Sequence, residues 1–315
     1  MNKKMIAIAM TMVVASVPVG VFAEETADVT AQQLFTDAAA YAIEVPGMTG
    51  SLQFGGEGSL KISGEGSPEA SFGASVSGAF DLKKAADPLK MEMSGNFKTG
   101  VLGQNINMDM EMYVVQDGDM IDSYFKGSSN GEETPWEHDR QNFDGIWEEM
   151  SVSGPEEFKE KMKELLEEAK IEIDWDITED NDACEMTGQL SYAELLPMIE
   201  EMEDDNSMTE EEREILEDIM GCLKMNINCT FDKETHALLK AHVDFDGSDM
   251  DSFGEMISEL FAQEMAESGV NSAGQTQFTV ELKSCEMDLE FNYDSVPEIT
   301  VPEEALQTAA FDDAD

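Results

Sequence analysis

The residues in this sequence best suited to chemistry are methionines that recur at every second position. Met91 and Met93 form one such row, and Met108, Met110 and Met112 form another. Methionine is flexible and polarisable, so these rows suit the lining of a cleft that holds an apolar ligand. Alternation in a strand also requires apolar residues at inward positions, so the same rows fit an ordinary packed core. The sequence alone leaves both interpretations open.

Aromatic residues at other inward positions extend this candidate cleft. The cleft candidates are Phe54, Phe72, Met91, Met93, Met108, Met110, Met112, Trp175 and Phe291. No phosphate-binding glycine loop and no His-Glu-x-x-His zinc motif accompany them. Paired carboxylates are uninformative in a chain with 69 acidic residues. We therefore predict a protein that is not an enzyme, has no catalytic residues and needs no cofactor.

Neither the histidines nor the acidic loops indicate metal binding. The histidines, which have no metal-ligand spacing, are predicted to lie on the surface: His138, His236 and His242. Asp244–Asp251 faintly resembles a calcium loop but lacks the glycine at its sixth position. A simpler account is that Ser248 or Asp249 caps the helix that follows. We predict no metal site.

Residues 1–23 have the features of a secretory signal peptide. A lysine pair precedes the apolar run Met5–Val21, and Val21-Phe22-Ala23 offers a cleavage site. An uncleaved anchor is the alternative, but the run is short for a bilayer span of about 20 residues. We expect a mature chain that begins near Glu24 and has no membrane span. It is secreted to the extracellular space or associated with the cell wall.

Four cysteines lie in the second half of the chain, and an even number is typical of disulfides in exported proteins. They allow three pairings. On the expectation that their strands are neighbours, we favour Cys184 with Cys229, which leaves Cys222 with Cys285. Free thiols that pack as small apolar side chains are the alternative.

The chemistry-bearing residues lie in a pattern of strands and helices. Alternating apolar and polar residues from Leu52 to Lys126 indicate an antiparallel meander with one apolar and one polar face. A helix over Thr30–Ala42 precedes it, and Thr30 with Gln33 forms a capping box. Helical patterns follow Arg140, and the second half of the chain again alternates strands with helices.

The last strand contains a change of phase. Its inward residues lie at even positions up to Leu282 and at odd positions from Cys285. A slip of one residue would turn half of the strand inside out, so we predict a β-bulge at Lys283–Ser284. We expect a single domain over residues 24–296 and a partly disordered C-terminal tail over residues 297–315.

The acidic excess limits the partners. The chain has 69 Asp and Glu against 18 Lys and Arg, a formal net charge of −51. Such a field repels nucleic acid and anionic lipid headgroups, and it favours cationic partners. We therefore exclude nucleic acid and expect either a lipid or amphiphile or a cationic component of the cell envelope.

Several phrases of the sequence carry a family resemblance. They are Asp87-Pro88-Leu89-Lys90-Met91-Glu92-Met93, Met108–Val115, Asp117-Gly118, Trp136 and Val296-Pro297-Glu298-Ile299-Thr300-Val301-Pro302-Glu303-Glu304-Ala305. With the N-terminal helix and the meander, they resemble the exported, Met-rich Gram-positive branch of the LolA-like (lipoprotein-localisation-factor) superfamily. The resemblance implies a sheet curled into a half-barrel, helices in its concave face, and an apolar cleft that holds acyl chains. Many such relatives have a cysteine at the cleavage site, where this chain has Ala23 and Glu24.

The expected fold class is therefore α+β, a curved antiparallel β half-barrel (LolA-like) with helices packed on its concave face. The expected function is that of a secreted, non-enzymatic binding protein with an apolar cleft for a lipid-like or amphiphilic ligand. The alternative is a structural or interaction protein of the cell envelope, with a closed core and an acidic partner-binding surface. An open apolar cleft between sheet and helices favours the first function, and a filled core favours the second.

Overall fold

The computed structural model describes residues 30–64, 67–101, 104–142, 175–180, 182–191, 217–267 and 277–310. The predicted signal peptide, and most of the helices expected between residues 140 and 220, lie outside these ranges. The described elements, in chain order, are α1 (Ala31–Glu44), β1 (Gly47–Gly64), β2 (Ser67–Ala86), β3 (Leu89–Val101), β4 (Gln104–Asp117), β5 (Met120–Ser129), β6 (Glu132–Glu133), β7 (Glu137–Asn142), β8 (Asp176–Glu179), β9 (Ala183–Ser191), β10 (Lys224–Asp232), β11 (Leu238–Asp244), α2 (Met250–Glu267), β12 (Gln277–Asn292) and α3 (Glu303–Leu306).

The strands form one antiparallel sheet of twelve strands, in the order β6-β5-β4-β3-β2-β1-β12-β11-β10-β9-β8, with β7 also paired to β5. Two meanders, β1–β5 and β8–β12, therefore meet where β1 pairs with β12. The described sheet is open, because its last strands at either end do not pair with each other. The predicted antiparallel sheet is confirmed in this coarse form, and the described residues add few helices to it. None of the described helices is both long enough and apolar enough to cross a membrane.

The predicted β-bulge in the last strand is confirmed. Glu57 of β1 lies opposite Ser284, but the next residue, Gly58, lies opposite Leu282. Lys283 is therefore the extra residue, and it absorbs the change of phase that the sequence shows. The apolar positions on both sides of the bulge consequently share one face of the sheet.

That face, which we call the inner face, is the one that holds Leu52. In the register of the described strands β1–β5 and β9–β12, Lys84 is its sole charged side chain. The opposite, outer face carries most of the acidic residues of these strands. The sheet thus separates charge from apolar surface almost completely, as expected for strands with one wet face.

Helix α1 lies across the inner face and covers both meanders. Thr30 caps it, because its hydroxyl oxygen accepts a hydrogen bond from the backbone N–H of Gln33 at 3.1 Å. Leu34 and Phe35 pack with apolar residues of β9–β12 in a first core. Ala42 packs with residues of β3–β5 in a second core. The helix prediction and its N-cap are confirmed.

Part of the predicted C-terminal tail packs against the sheet. Ile299 and Ala305 are buried on the outer face, in a cluster with Ala85, Tyr113 and Tyr124. The apolar residues of the segment bury surface against aromatic side chains of β4 and β5, which an isolated tail could not do.

Lys84 is a buried basic residue whose side chain caps the C-terminal end of helix α1. Its Nζ atom donates hydrogen bonds to the carbonyl oxygens of Ala42 and Ile43, at 2.6 and 2.7 Å. These carbonyls lie in the last turn of the helix, where no intrahelical donor reaches them. Burial lowers the pKa of Lys84 from its ordinary value of 10.5 to about 8.

We expect this burial to make stability depend on pH. Between pH 8 and 10.5 the unfolded chain holds the Lys84 proton that the folded chain has lost, so stability contributed at this site rises with pH. The neutral amine still has two N–H donors for the two carbonyls. The free energy of unfolding of the wild type, minus that of Lys84→Met, should increase on the order of 2 kcal/mol across this window.

Urea titrations at several pH values measure this difference. Lys83→Met is the matched control, because Lys83 lies on the outer face and its ion pair with Glu92 is in contact with water. A difference for Lys84→Met that stays constant or falls with pH would contradict the assignment.

Candidate functional site

A ladder of phenylalanine rings crosses the part of the inner face next to the second core. The ring of Phe54 lies 6.1 Å from that of Phe80, nearly parallel to it, and 6.1 Å from that of Phe97. These residues, the phenylalanine ladder, are only half-buried. Three large aromatic side chains in contact with solvent, on a face whose one charged side chain in the described strands is the buried Lys84, form a surface to which an apolar molecule can bind.

The apolar surface continues onto β4. Met108 lies opposite Phe97 in the register, and Ile106 lies opposite Thr99. Met108 is 41% exposed and Ile106 is 42% exposed, which is unusual for large apolar side chains in a sheet. We call Phe54, Phe80, Phe97, Ile106 and Met108 together the apolar strip.

The cleft candidates from the sequence divide between this strip and the cores. Met91, Met93 and Met112 are buried in the second core, under the C-terminal end of α1. Met108 belongs to the strip, and Met110 is half-buried beside it. The methionine rows are therefore buried at one end and exposed to solvent at the other.

The other candidates lie on the same side of the sheet at varying depth. Phe54 is part of the strip, and Phe72 lies opposite Leu60 at the far end of β2. Phe291 packs against both cores. The Trp175 and Phe35 rings form a T-shaped pair with 5.8 Å between centroids, so Trp175 packs against the first core.

The sequence analysis did not single out Phe80, Phe97 and Ile106. Each has the inward parity, but so do many core residues, and parity alone does not show which positions α1 leaves uncovered. The sequence feature that could have indicated the phenylalanine ladder is the glycine at the position opposite a ring. The Phe54 ring lies over Gly78 and the Phe80 ring over Gly95, and each glycine is the cross-strand partner of the ring that covers it.

We expect Gly95→Ala to destabilise the sheet. A methyl group there would lie 2.2 Å from the Phe80 ring and 2.6 Å from the carbonyl oxygen of Ala79. Overpacking of this kind costs about 1–3 kcal/mol. The matched control is Gly55→Ala, because nothing lies within 4 Å of its added methyl. Urea denaturation should show a loss for Gly95→Ala and little change for Gly55→Ala, and equal losses would contradict the ring-over-glycine packing.

The prediction of disulfides is wrong, because the structure holds four free cysteines. Strands β9 and β10 are neighbours, as expected, but Cys184 lies opposite Phe231 and Cys229 lies opposite Met186. The two cysteines are therefore diagonal. Diagonal residues of an antiparallel pair lie about 7–8 Å apart, beyond the reach of a disulfide.

The second pairing is also absent. Cys222 precedes β10 and donates its S–H to the carbonyl oxygen of Asp218. Cys285 lies on β12, opposite Gly56 of β1. Burial raises the pKa of the Cys229 thiol to about 12, so this residue packs as an unreactive apolar side chain.

We expect four free thiols in the denatured, non-reduced protein. In the native protein, Cys222 and Cys285 are partly exposed and should react with iodoacetamide before Cys184 and Cys229, which are buried. Alkylation over time, followed by peptide mass spectrometry, measures the order. Prior labelling of Cys229 would contradict the burial of the first core.

The structure describes no cluster of three or more His, Cys, Asp or Glu side chains that could hold a metal ion. Asp249 caps helix α2, since its carboxylate accepts a hydrogen bond from the backbone N–H of Ser252 at 3.1 Å. His138, however, is buried, so the prediction that it lies on the surface is wrong. Its ring bridges Asp122 and the backbone of Thr308.

One motif that bears on the prediction of a non-enzymatic protein is Gly127–Gly131, which matches the Gly-x-Ser-x-Gly pattern of hydrolase nucleophiles. That nucleophile requires a turn from a strand into a helix. Here Ser129 ends β5 and pairs with Glu132 of β6 in a hairpin. Asn130 and Gly131 form its turn with positive φ values of 52° and 84°, which is the reason for the Asn-Gly pair.

A polar hollow lies between β4 and β5 on the outer face. Its lining includes Asp109, Glu111, Lys126, Ser128 and Glu133. Lys126 already forms an ion pair with Glu133 at 2.7 Å. Such a lining does not suit an apolar ligand, so the strip on the inner face remains the candidate site.

Comparisons with known proteins give little further guidance. No protein-family model matches the chain, and no curated protein matches it. Among solved structures, the chain is similar to the crystal structure of a beta-barrel-like protein of a domain of unknown function from Brucella abortus. The identity is 9%, over 76% of this chain and 96% of that chain, with a TM-score of 0.19. A likeness this weak supports no argument about function.

Proposed function

We propose that this protein is an exported, LolA-like binding protein whose sheet curls around an uncharged apolar ligand. The observation that carries the proposal is the apolar strip, where Ile106 and Met108 are exposed on a face whose sole charged side chain, within the described strands β1–β5 and β9–β12, is Lys84. Lys84 is buried against α1 and so does not reach the strip. The bound part of the ligand therefore carries no charge.

The strip is well suited to an acyl chain or a similar extended hydrocarbon. It crosses β1, β2, β3 and β4, and neighbouring strands lie about 4.8 Å apart, so it offers a track on the order of 15 Å. Each methylene group that leaves water contributes about 0.8 kcal/mol. Met110 beside the track and the methionines behind it can adapt to the shape of the chain.

The charge of the protein selects the headgroup. With a net charge of −51, the protein repels an anionic headgroup that approaches the mouth of the site. A neutral or cationic amphiphile is therefore the preferred ligand. Since the repulsion acts through water, salt screens it and the preference weakens as ionic strength rises.

The second candidate function is that of an envelope structural or interaction protein. The burial of Met91, Met93 and Met112 favours it, because this end of the inner face is already filled. On this account the acidic outer face would bind a cationic partner, and the apolar strip would have no ligand.

A binding titration distinguishes the two functions. We expect a neutral pyrene-labelled monoacylglycerol to bind more tightly than a pyrene-labelled fatty acid of equal chain length, with the gap closing at high salt. Met108→Asp places a charge within the strip and should weaken binding of the neutral probe at least about tenfold. Because Met108 is 41% exposed, the substitution should leave the fold intact.

The matched control is Asn107→Asp, which adds the same charge one residue away on the outer face of the same strand. It should change the affinity for the neutral probe less than about twofold. If neither probe binds the wild type, the envelope role replaces the binding role. If both variants weaken binding equally, the ligand does not lie on the strip.

A further inference from the structure

His138 forms hydrogen bonds to both the C-terminal segment and the sheet. We call residues 299–308 the terminal strap. The Nδ1 atom of His138, on β7, lies 3.0 Å from the carbonyl oxygen of Thr308 in the strap. Its Nε2 atom lies 2.7 Å from Oδ1 of Asp122 on β5. The imidazole therefore forms a bridge between the sheet and the strap.

The partners of this ring determine its protonation state. A backbone carbonyl can only accept a hydrogen bond, so Nδ1 carries a hydrogen. Arg140 lies 3.6 Å from the second oxygen of Asp122 and forms an ion pair with this carboxylate. An ionised carboxylate also only accepts, so Nε2 carries a hydrogen too. The ring that satisfies both bonds is the imidazolium.

We propose that the terminal strap is a proton-dependent latch, docked on the outer face while His138 is protonated and released when this proton is lost. A neutral ring has one N–H to share between two acceptors. It keeps the bond to Asp122, because a charge-assisted hydrogen bond is the stronger of the two. Nδ1 then turns a lone pair toward the carbonyl of Thr308, and the bridge breaks.

Charged and titratable side chains accompany the ring on the elements that carry the bridge. They are Asp122 and Tyr124 on β5, Arg140 on β7 and Asp117 at the end of β4. The strap itself carries Glu303 and Glu304. Tyr124 stacks on the ring with 4.4 Å between centroids. Burial, and then the charge of Asp122, raises the pKa of Tyr124, so its hydroxyl stays neutral throughout the range in which histidine titrates.

Release of the strap would change the surface of the protein. The strap covers Tyr113, Tyr124 and Trp136 with Ile299 and Ala305. The docked state holds a proton that the released state gives up, so docking is complete at acidic pH and is lost as the pH rises.

Hydrogen exchange of the strap amides tests the latch. Protection factors for residues 305–308, corrected for intrinsic exchange, should fall at least about tenfold in the full chain between about pH 5.5 and about pH 9. His138→Gln should remove this pH dependence and leave the strap weakly protected throughout. His242→Gln is the matched control. That histidine also lies 2.7 Å from an aspartate, Asp288, but on β11, and its loss should leave the fall unchanged.

Asp122→Asn gives the sharper result, because it has the opposite sign. The Asn amide can donate to Nε2 of a neutral ring, which leaves the Nδ1 hydrogen for Thr308, so the strap should stay protected at high pH. The latch is overturned by constant protection in the wild type, by a wild-type response in His138→Gln, or by a wild-type response in Asp122→Asn. The Asp122→Asn result decides the matter if His138→Gln does not fold.

Discussion

The pairing of β1 with β12 is the contact on which the rest of the structure depends. It joins two meanders from opposite ends of the chain, along Thr49–Ser63 and Gln277–Asn292. Closing so large a loop costs conformational entropy, which the chain loses before the contacts between the two strands stabilise the fold. Apolar cross-strand pairs such as Leu52 with Leu289 lie along the seam. The extra residue Lys283 then keeps the apolar sides of both meanders on one face, so that a single helix can cover them both.

Separation of charge follows from this seam. The chain has 69 acidic residues and few basic ones, so its folded state must leave the carboxylates in contact with water. One face of the sheet provides that, with cross-strand pairs such as Lys240–Glu290 that contribute little stability because they are exposed. The other face is left to bury apolar surface. Lys84 is the exception, and it is tolerated because the carbonyls at the end of α1 need a donor. The same uncharged face supplies both the cores and the apolar strip, so stability and the proposed binding share one cause.

Much of this arrangement could be predicted from the sequence, and the failures have physical reasons. Period-two alternation predicts strands and their faces, and the slip of phase at Lys283 predicts the bulge, because both are properties of a single strand. Which residues meet across strands depends on register. Cys184 and Cys229 were assigned to neighbouring strands correctly, yet an offset of two residues keeps them apart. The phenylalanine ladder has the same origin, since Phe80 meets Gly95 only through the register of β2 and β3. The burial of His138 depends on a segment 170 residues away, which no local pattern indicates.

The three histidines all lie close to an aspartate, but they differ in the second group that the ring contacts. In a protein this acidic, each histidine lies 2.7 Å from an aspartate: His138 from Asp122, His236 from Asp37 and His242 from Asp288. The hydrogen bond to Asp288 raises the pKa of His242. The partners of His242, however, are Asp288 on β12 and Asp244 on β11. Its protonation therefore strengthens ion pairs on the surface of two neighbouring strands and does not affect a contact with the strap. His138 alone among them donates its second nitrogen to the backbone of a terminal segment. The proposed latch rests on this arrangement, in which one ring holds hydrogen bonds to both the sheet and a terminal segment.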